Sequence, residues 1–205
     1  DISGSESKPP LMIKGGKKLS SLEYTLPVAS AQIKSCLLLA GLYADGETHI
    51  IENGISRDHT ERMLRGFGYK VTTSPGHVSI LGGGILKACD IEVPSDISSS
   101  AFFMVAASIA KEADITLLAV NVNPTRTGVI DILRLMGANI ELSNERLEAG
   151  ELIADIRVQS SNLKGIEIPE HLVPLAIDEF PVIFIAASCA QGETVLTCAK
   201  ELRVK

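Results

Sequence analysis

Apolar residues in this chain alternate with polar ones in short runs and recur every three to four positions in longer ones, and the two periods divide it into elements. Leu26 to Ala29 closes an extended run, with Pro27 at its edge. From Ile33 onward, Cys36, Leu37, Leu39 and Ala40 follow helical spacing. Ser30 stands where one period gives way to the other, which is an N-cap position. Upstream, Leu11–Lys14 and Leu22–Leu26 predict strands, Gly15-Gly16 stops the first, and the polar stretch Asp1 to Pro10 reads as a loop. Downstream, Asp45-Gly46 ends the helix and Thr48–Glu52 predicts a strand. Ser56-Arg57-Asp58-His59-Thr60 opens a second helix through Met63, Leu64 and Phe67, closed by Gly68. Tyr69–Thr73 and His77–Leu81 predict a hairpin around Pro75-Gly76.

Gly82-Gly83-Gly84 reads as a hinge or linker, after which the pattern restarts. Ile91–Val93 predicts a strand ending at Pro94, and Asp96-Ile97-Ser98-Ser99-Ser100 a helix start. Ala101–Ala110 is the helix, Ile115–Val120 a strand, Val129–Met136 a helix closed by Gly137, and Asn139–Leu142 a strand. Asn144–Gly150 reads as a mobile charged turn before a strand at Ile156–Gln159. Ile166–Ile168, Pro169 and Asp178-Glu179-Phe180-Pro181 begin a third copy, with Val182–Ala190 as helix and Thr194–Thr197 as strand.

The copies align. Ala-Asp-Gly-Glu-Thr at 44–48 matches Ala-Gln-Gly-Glu-Thr at 190–194, and Leu-Arg-Gly-Phe-Gly at 64–68 resembles Leu-Arg-Leu-Met-Gly at 133–137. The unit is strand-helix-strand-helix-strand-strand, recurring roughly every 70 residues, too long for a solenoid repeat. Sheets with helices packed on them are the expected solution, an α/β fold. The third copy stops after one helix and strand, so the chain reads as truncated, and its start at Asp1 rather than Met points the same way.

Composition narrows the function classes. A formal charge of -6 argues against nucleic acid as the main partner. No apolar run approaches the roughly 20 residues needed to cross a bilayer, so no membrane role is expected. Nothing resembles a signal peptide. Cys36, Cys89, Cys189 and Cys198 form no CxxC pair, and they read as free, mostly buried thiols of a reducing cytoplasm. The scattered histidines argue against a metal site.

A helix that opens at Ser30 aims the free N–H groups of Ala31 and Gln32 outward with the positive end of its dipole, which suits a phosphate. The alternative is that Ser30 only caps a core helix. Asp178 and Asp96 occupy equivalent helix starts, where a carboxylate also serves as a cap.

Five pieces in one order carry a family resemblance: Pro27-Val28-Ala29-Ser30-Ala31-Gln32-Ile33-Lys34-Ser35, Ser56-Arg57-Asp58-His59-Thr60-Glu61, Asn123-Pro124-Thr125-Arg126-Thr127-Gly128, Asp178-Glu179-Phe180-Pro181 and Glu201-Leu202-Arg203-Val204-Lys205. With the repeats, they resemble the 5-enolpyruvylshikimate-3-phosphate synthase family, across nearly the whole chain. Ala31 after Ser30 is similar to the bacterial Ser-Ala-Gln subclass, which includes glyphosate-tolerant enzymes of this glyphosate-targeted family. The resemblance implies two lobes of such units, with residues 1–84 in the first and 85–205 in the second, the chain being the central part of the enzyme. It implies transfer of enolpyruvyl from phosphoenolpyruvate to the 5-hydroxyl of shikimate 3-phosphate, in the shikimate pathway of aromatic amino acid biosynthesis. No metal or organic cofactor is implied, and the expected state is a cytoplasmic monomer acting on small molecules.

By the same resemblance, Ser30, Ala31 and Gln32 line the shikimate phosphate and ring, and Arg57, beside Ser56, reaches that phosphate. Asp178 meets the 5-hydroxyl as the candidate base, with Lys205 near the same hydroxyl. Asp96 is read as a cap, and Arg126 marks the subclass without a chemical role. The family's glutamate acid would follow Lys205, and the phosphoenolpyruvate arginines lie further on, so the isolated chain is expected to be inactive. The rival readings are the sister enzyme that moves enolpyruvyl onto UDP-N-acetylglucosamine, and a non-catalytic module of the same fold.

Overall fold

The computed structural model describes residues 2–5 and 8–203. Contacts group the chain into two units, one of residues 1–53 and 70–85, the other of residues 54–69 and 86–205.

In the first unit, β1 (Ile2–Ser5) and β2 (Lys8–Ile13) pair antiparallel where the sequence suggests a loop. The short strands β3 (Leu19–Ser20) and β4 (Glu23–Thr25) lead to helix α1 (Ala31–Gly41). β5 (Ala44–Asp45) and β6 (Glu47–Ile51) follow, and after the excursion into the second unit come β7 (Val71–Ser74) and β8 (His77–Leu81). The sheet order is β4-β6-β8-β7, with β4 and β6 parallel and the other pairs antiparallel. Helix α1 packs on β6 and β8, which buries Leu38 against a core containing Ile50, Val78 and Ile80. Lys34, one turn before Leu38, is buried with its ammonium 3.1 Å from Glu52.

In the second unit, the antiparallel sheet β10-β11-β9 is built from β9 (Asp114–Asn121), β10 (Asn139–Glu148) and β11 (Glu151–Gln159). Helices α3 (Ile97–Ile109) and α4 (Gly128–Leu135) pack on it and α5 (Phe180–Cys189) packs on those two helices, with 3₁₀ turns at Glu170–Leu172 and Pro174–Ala176. Met104, Ile130, Leu133, Ile156, Phe180 and Ile183 meet in one core. Each fully buried side chain of this size contributes about 1.5–3 kcal/mol.

Helix α2 (His59–Gly66) groups with the second unit, although a division at residue 84 assigns it to the first lobe. Its docking has a steric cause. A Cβ on Gly66 would lie 2.3 Å from the carbonyl oxygen of Ala149, and one on Gly150, whose φ is +88°, 2.4 Å from that of Arg62. Helix and β10–β11 turn touch backbone to backbone, an approach only glycine permits.

Several expectations change. Asn144–Gly150 is not a mobile turn: β10 runs on to Glu148, pairs with β11, and absorbs an irregularity between Ser143 and Arg146 at Asn144, where φ is +51°. The strand expected over Ile91–Val93 is absent, and pairing falls instead on Ser95, which bridges Val120 in parallel. The strand expected at Thr194–Thr197 reduces to one bridge, Val195 with Glu167. The four cysteines are free but exposed rather than buried. Cys36 and Cys189 lie on outward helix positions, where apolar sequence neighbours do not bury them.

Among the described residues, no helix is long and apolar enough to cross a membrane. No group of three or more His, Cys, Asp or Glu among them is placed to hold a metal ion.

Candidate functional site

The first unit contributes a helix start. Ser30 is extended, at φ −125° and ψ 111°, and its hydroxyl accepts a 3.4 Å bond from the Ile33 amide while its carbonyl accepts from Lys34. The amides of Ala31 and Gln32 have no acceptor inside the helix. Ala31 is half-buried and Gln32 exposed, so this end of α1 meets solvent with the positive pole of its dipole.

The second unit contributes a charged constellation. Arg57, in the loop before α2, donates through Nη2 to Oδ2 of Asp178, and both side chains are about one-third exposed, at 37% and 33%. Ser56 precedes Arg57 and is half-buried. Asp178 stands one residue before the N-cap of α5, which is Glu179. The expected capping role therefore falls outside its position, because the helix starts at Phe180. Asp96 does cap, its carboxylate accepting the Ser99 amide at 2.7 Å. Lys205 lies outside the described residues.

What holds the Arg57 loop is a polar network that reading the sequence did not single out. Asp58 accepts both 2.9 Å bonds from Arg62 Nε and a 2.7 Å bond from Asn123 Nδ2. His59 Nδ1 lies 2.7 Å from Glu151, and Glu151 Oε2 accepts from Asn121 and Asn123, each at 3.2 Å. Burial pushes the Asp58 carboxyl up, but the bonds from Arg62 and Asn123 outweigh it and leave it below its ordinary range. Burial likewise raises Glu151, and the bond from His59 with those from Asn121 and Asn123 brings it below its ordinary range. Asn123 stands in the Asn-Pro-Thr-Arg stretch, but the need of its amide for partners comes from its full burial, which the sequence does not show.

Behind Asp178, the carboxylate of Glu179 is buried. Ser98 donates its hydroxyl to it, and Arg126 Nη2 lies 3.5 Å away. Within the second unit the structure thus joins Arg57 and Asp178, which are 121 positions apart in sequence. Ser30, Ala31 and Gln32 belong to the other unit.

Sheets clad by helices in units of this kind form the fold of the enolpyruvyl transferases. The enolpyruvyl transferase NikO from Streptomyces tendae shares it at a TM-score of 0.61, with 17% identity over 77% of this chain and 37% of that one, a likeness of fold alone. The chain belongs to the EPSP synthase (3-phosphoshikimate 1-carboxyvinyltransferase) family, whose family model matches residues 1–205. An EPSP synthase structure from Acinetobacter baumannii superposes at a TM-score of 0.94, with 58% identity over all of this chain and 47% of that one. The 3-phosphoshikimate 1-carboxyvinyltransferases of Vesicomyosocius okutanii and Ruthia magnifica are 66% and 68% identical over 204 residues. The chain covers 47% of the length of each of these two relatives.

Proposed function

We propose that the intact protein transfers the enolpyruvyl group of phosphoenolpyruvate to the 5-hydroxyl of shikimate 3-phosphate, with release of inorganic phosphate. The observation that carries this reading is the Arg57–Asp178 pair, a cation and a carboxylate from two family motifs side by side on one unit. The reaction is an addition followed by an elimination, and it needs anion sites and a base at the attacking hydroxyl. Asp178 takes the hydroxyl proton. Ser30, the amides of Ala31 and Gln32, and Arg57 with Ser56 hold the phosphate and ring of the acceptor. Gln32 also reaches the phosphoenolpyruvate, and Lys205 acts at the same hydroxyl as Asp178.

The two lobes divide near Gly82–Gly84. The intact protein is read as a cytoplasmic monomer that takes small-molecule substrates and binds neither nucleic acid nor membrane. Support comes from the acidic composition and from identity of about two-thirds with the named carboxyvinyltransferases. The test is a phosphate-release assay on the full-length protein with both substrates, and with UDP-N-acetylglucosamine as alternative acceptor. Release that requires shikimate 3-phosphate supports the reading; release only with the nucleotide sugar, or none, overturns it.

A further inference from the structure

We propose that Arg126 is a positioning residue that fixes Asp178 from behind, through the buried carboxylate of Glu179; this rests on the role of Asp178 given above. Glu179 is the N-cap of α5 but makes no side-chain cap bond, and its side chain is only 2% exposed. A carboxylate that far from water needs a charged or hydrogen-bonded partner to stay where it is. Two are present, the Ser98 hydroxyl and the Arg126 guanidinium. Arg126 Nη2 also lies 2.5 Å from Ser98 Oγ and 3.7 Å from Asp96 Oδ1, and the arginine is itself largely buried, at 16% exposure.

One guanidinium therefore joins the starts of two helices, α3 through Asp96 and Ser98, and α5 through Glu179. Its own backbone is held as firmly. The Arg126 amide donates to the Asn123 carbonyl at 2.8 Å, and the Asn123 side-chain oxygen accepts from the Thr125 amide at 2.8 Å and the Thr125 hydroxyl at 2.7 Å. Asn123 is in turn bonded to Asp58, in the loop that carries Arg57. The partner of Asp178 on one side and the anchor of its neighbour on the other thus trace back to one stretch, 123–126. A planar fork with fixed donors suits such a junction, and a lysine cannot reproduce it.

The side-chain partners of Arg126 described above are Ser98, Asp96 and Glu179, so as a positioning residue its loss should act on orientation rather than on affinity. The test compares full-length wild type, Asp178→Ala, Arg126→Ala and Arg126→Ala combined with Glu179→Gln, by kcat, by KM for both substrates and by thermal melting. Arg126→Ala alone strands a buried charge and lowers Tm. The double variant removes that charge, so its Tm should return to within a few degrees of wild type. If Arg126 positions Asp178, kcat of the double variant should stay down by about 10- to 100-fold with each KM changed less than about threefold. A kcat that recovers together with Tm, or is normal in folded Arg126→Ala, overturns the proposal. Wild type that releases no phosphate, or Asp178→Ala that turns over normally, would instead overturn the functional reading beneath it.

Discussion

Two helix starts in this molecule solve opposite problems. At α1, a neutral hydroxyl from Ser30 caps the helix, and the amides beside it face solvent. At α5, the N-cap is a buried carboxylate whose charge is met by Ser98 and Arg126, and the exposed group is the preceding Asp178. The first arrangement leaves partial positive charge available to an anion; the second holds the carboxylate of Asp178, paired with Arg57, directly ahead of a buried N-cap. A helix terminus thus presents partial positive charge or a carboxylate according to which group caps it and which is buried.

The largest effect expected from disturbing this contrast is on chemistry at α5. Asp178→Ala in the full-length protein should lower turnover by roughly 10² to 10⁴, the range for a positioned general base. Because Asp178 lies outside the N-cap, Tm should hardly move. A normal rate with a depressed Tm would make α5 a second capped helix and erase the distinction.

Next in size is Arg57→Ala. It removes a charged donor from the proposed phosphate site, and affinity for shikimate 3-phosphate, measured by calorimetry, should fall about 10- to 100-fold. Its pair with Asp178 is partly solvated and is worth only about 0–1 kcal/mol of stability. Unchanged affinity would leave anion binding to α1 alone.

Acid should act on the second unit through the network below Arg57. Asp58 and Glu151 titrate below their ordinary range in the folded chain. Their contribution is therefore complete above the unfolded carboxylate range, about pH 4–4.5, and is lost as pH falls through the lower folded values. Urea midpoints taken from pH 6 to pH 3 should drop on the acid side, and Asp58→Asn should flatten that slope. A slope unaffected by Asp58→Asn would assign the acid sensitivity to other groups.

The smallest effect is at α1. Ser30→Ala should cost about 0.5–1 kcal/mol by chemical denaturation, the low end for a cap given the long 3.4 Å bond. It should also weaken sulfate binding at the helix start. Sulfate affinity equal to wild type would mean that backbone amides alone form the anion site.

Where local sequence decides, the elements were legible. Ser30 and Asp96 each precede a helix and cap it as their residue types predict, and the Pro75-Gly76 hairpin turns where expected. The errors share a cause, because they depend on partners far along the chain. Residues 146–148 pair as strand because residues 151–153 lie opposite them, and Ile91–Val93 forms none because the pairing falls at Ser95. Asp178 was misjudged as a cap because one residue of phase cannot be read from period alone. The resemblance gave Arg57 and Asp178 separate roles and not their pairing, and the Glu151–His59 contact spans 92 positions that no local pattern links.

The docking of α2 has a consequence for the order in which the chain matures. His59 leaves the ribosome 92 residues before Glu151, and the turn that accepts Gly66 lies in the same late segment. At about 5–20 residues per second, this helix waits roughly 5–20 s for the strand on which it settles. During that interval the carboxylate of Glu61, buried in the finished unit, remains hydrated. The loop carrying Arg57 therefore acquires its final form only after most of the second unit has been synthesised.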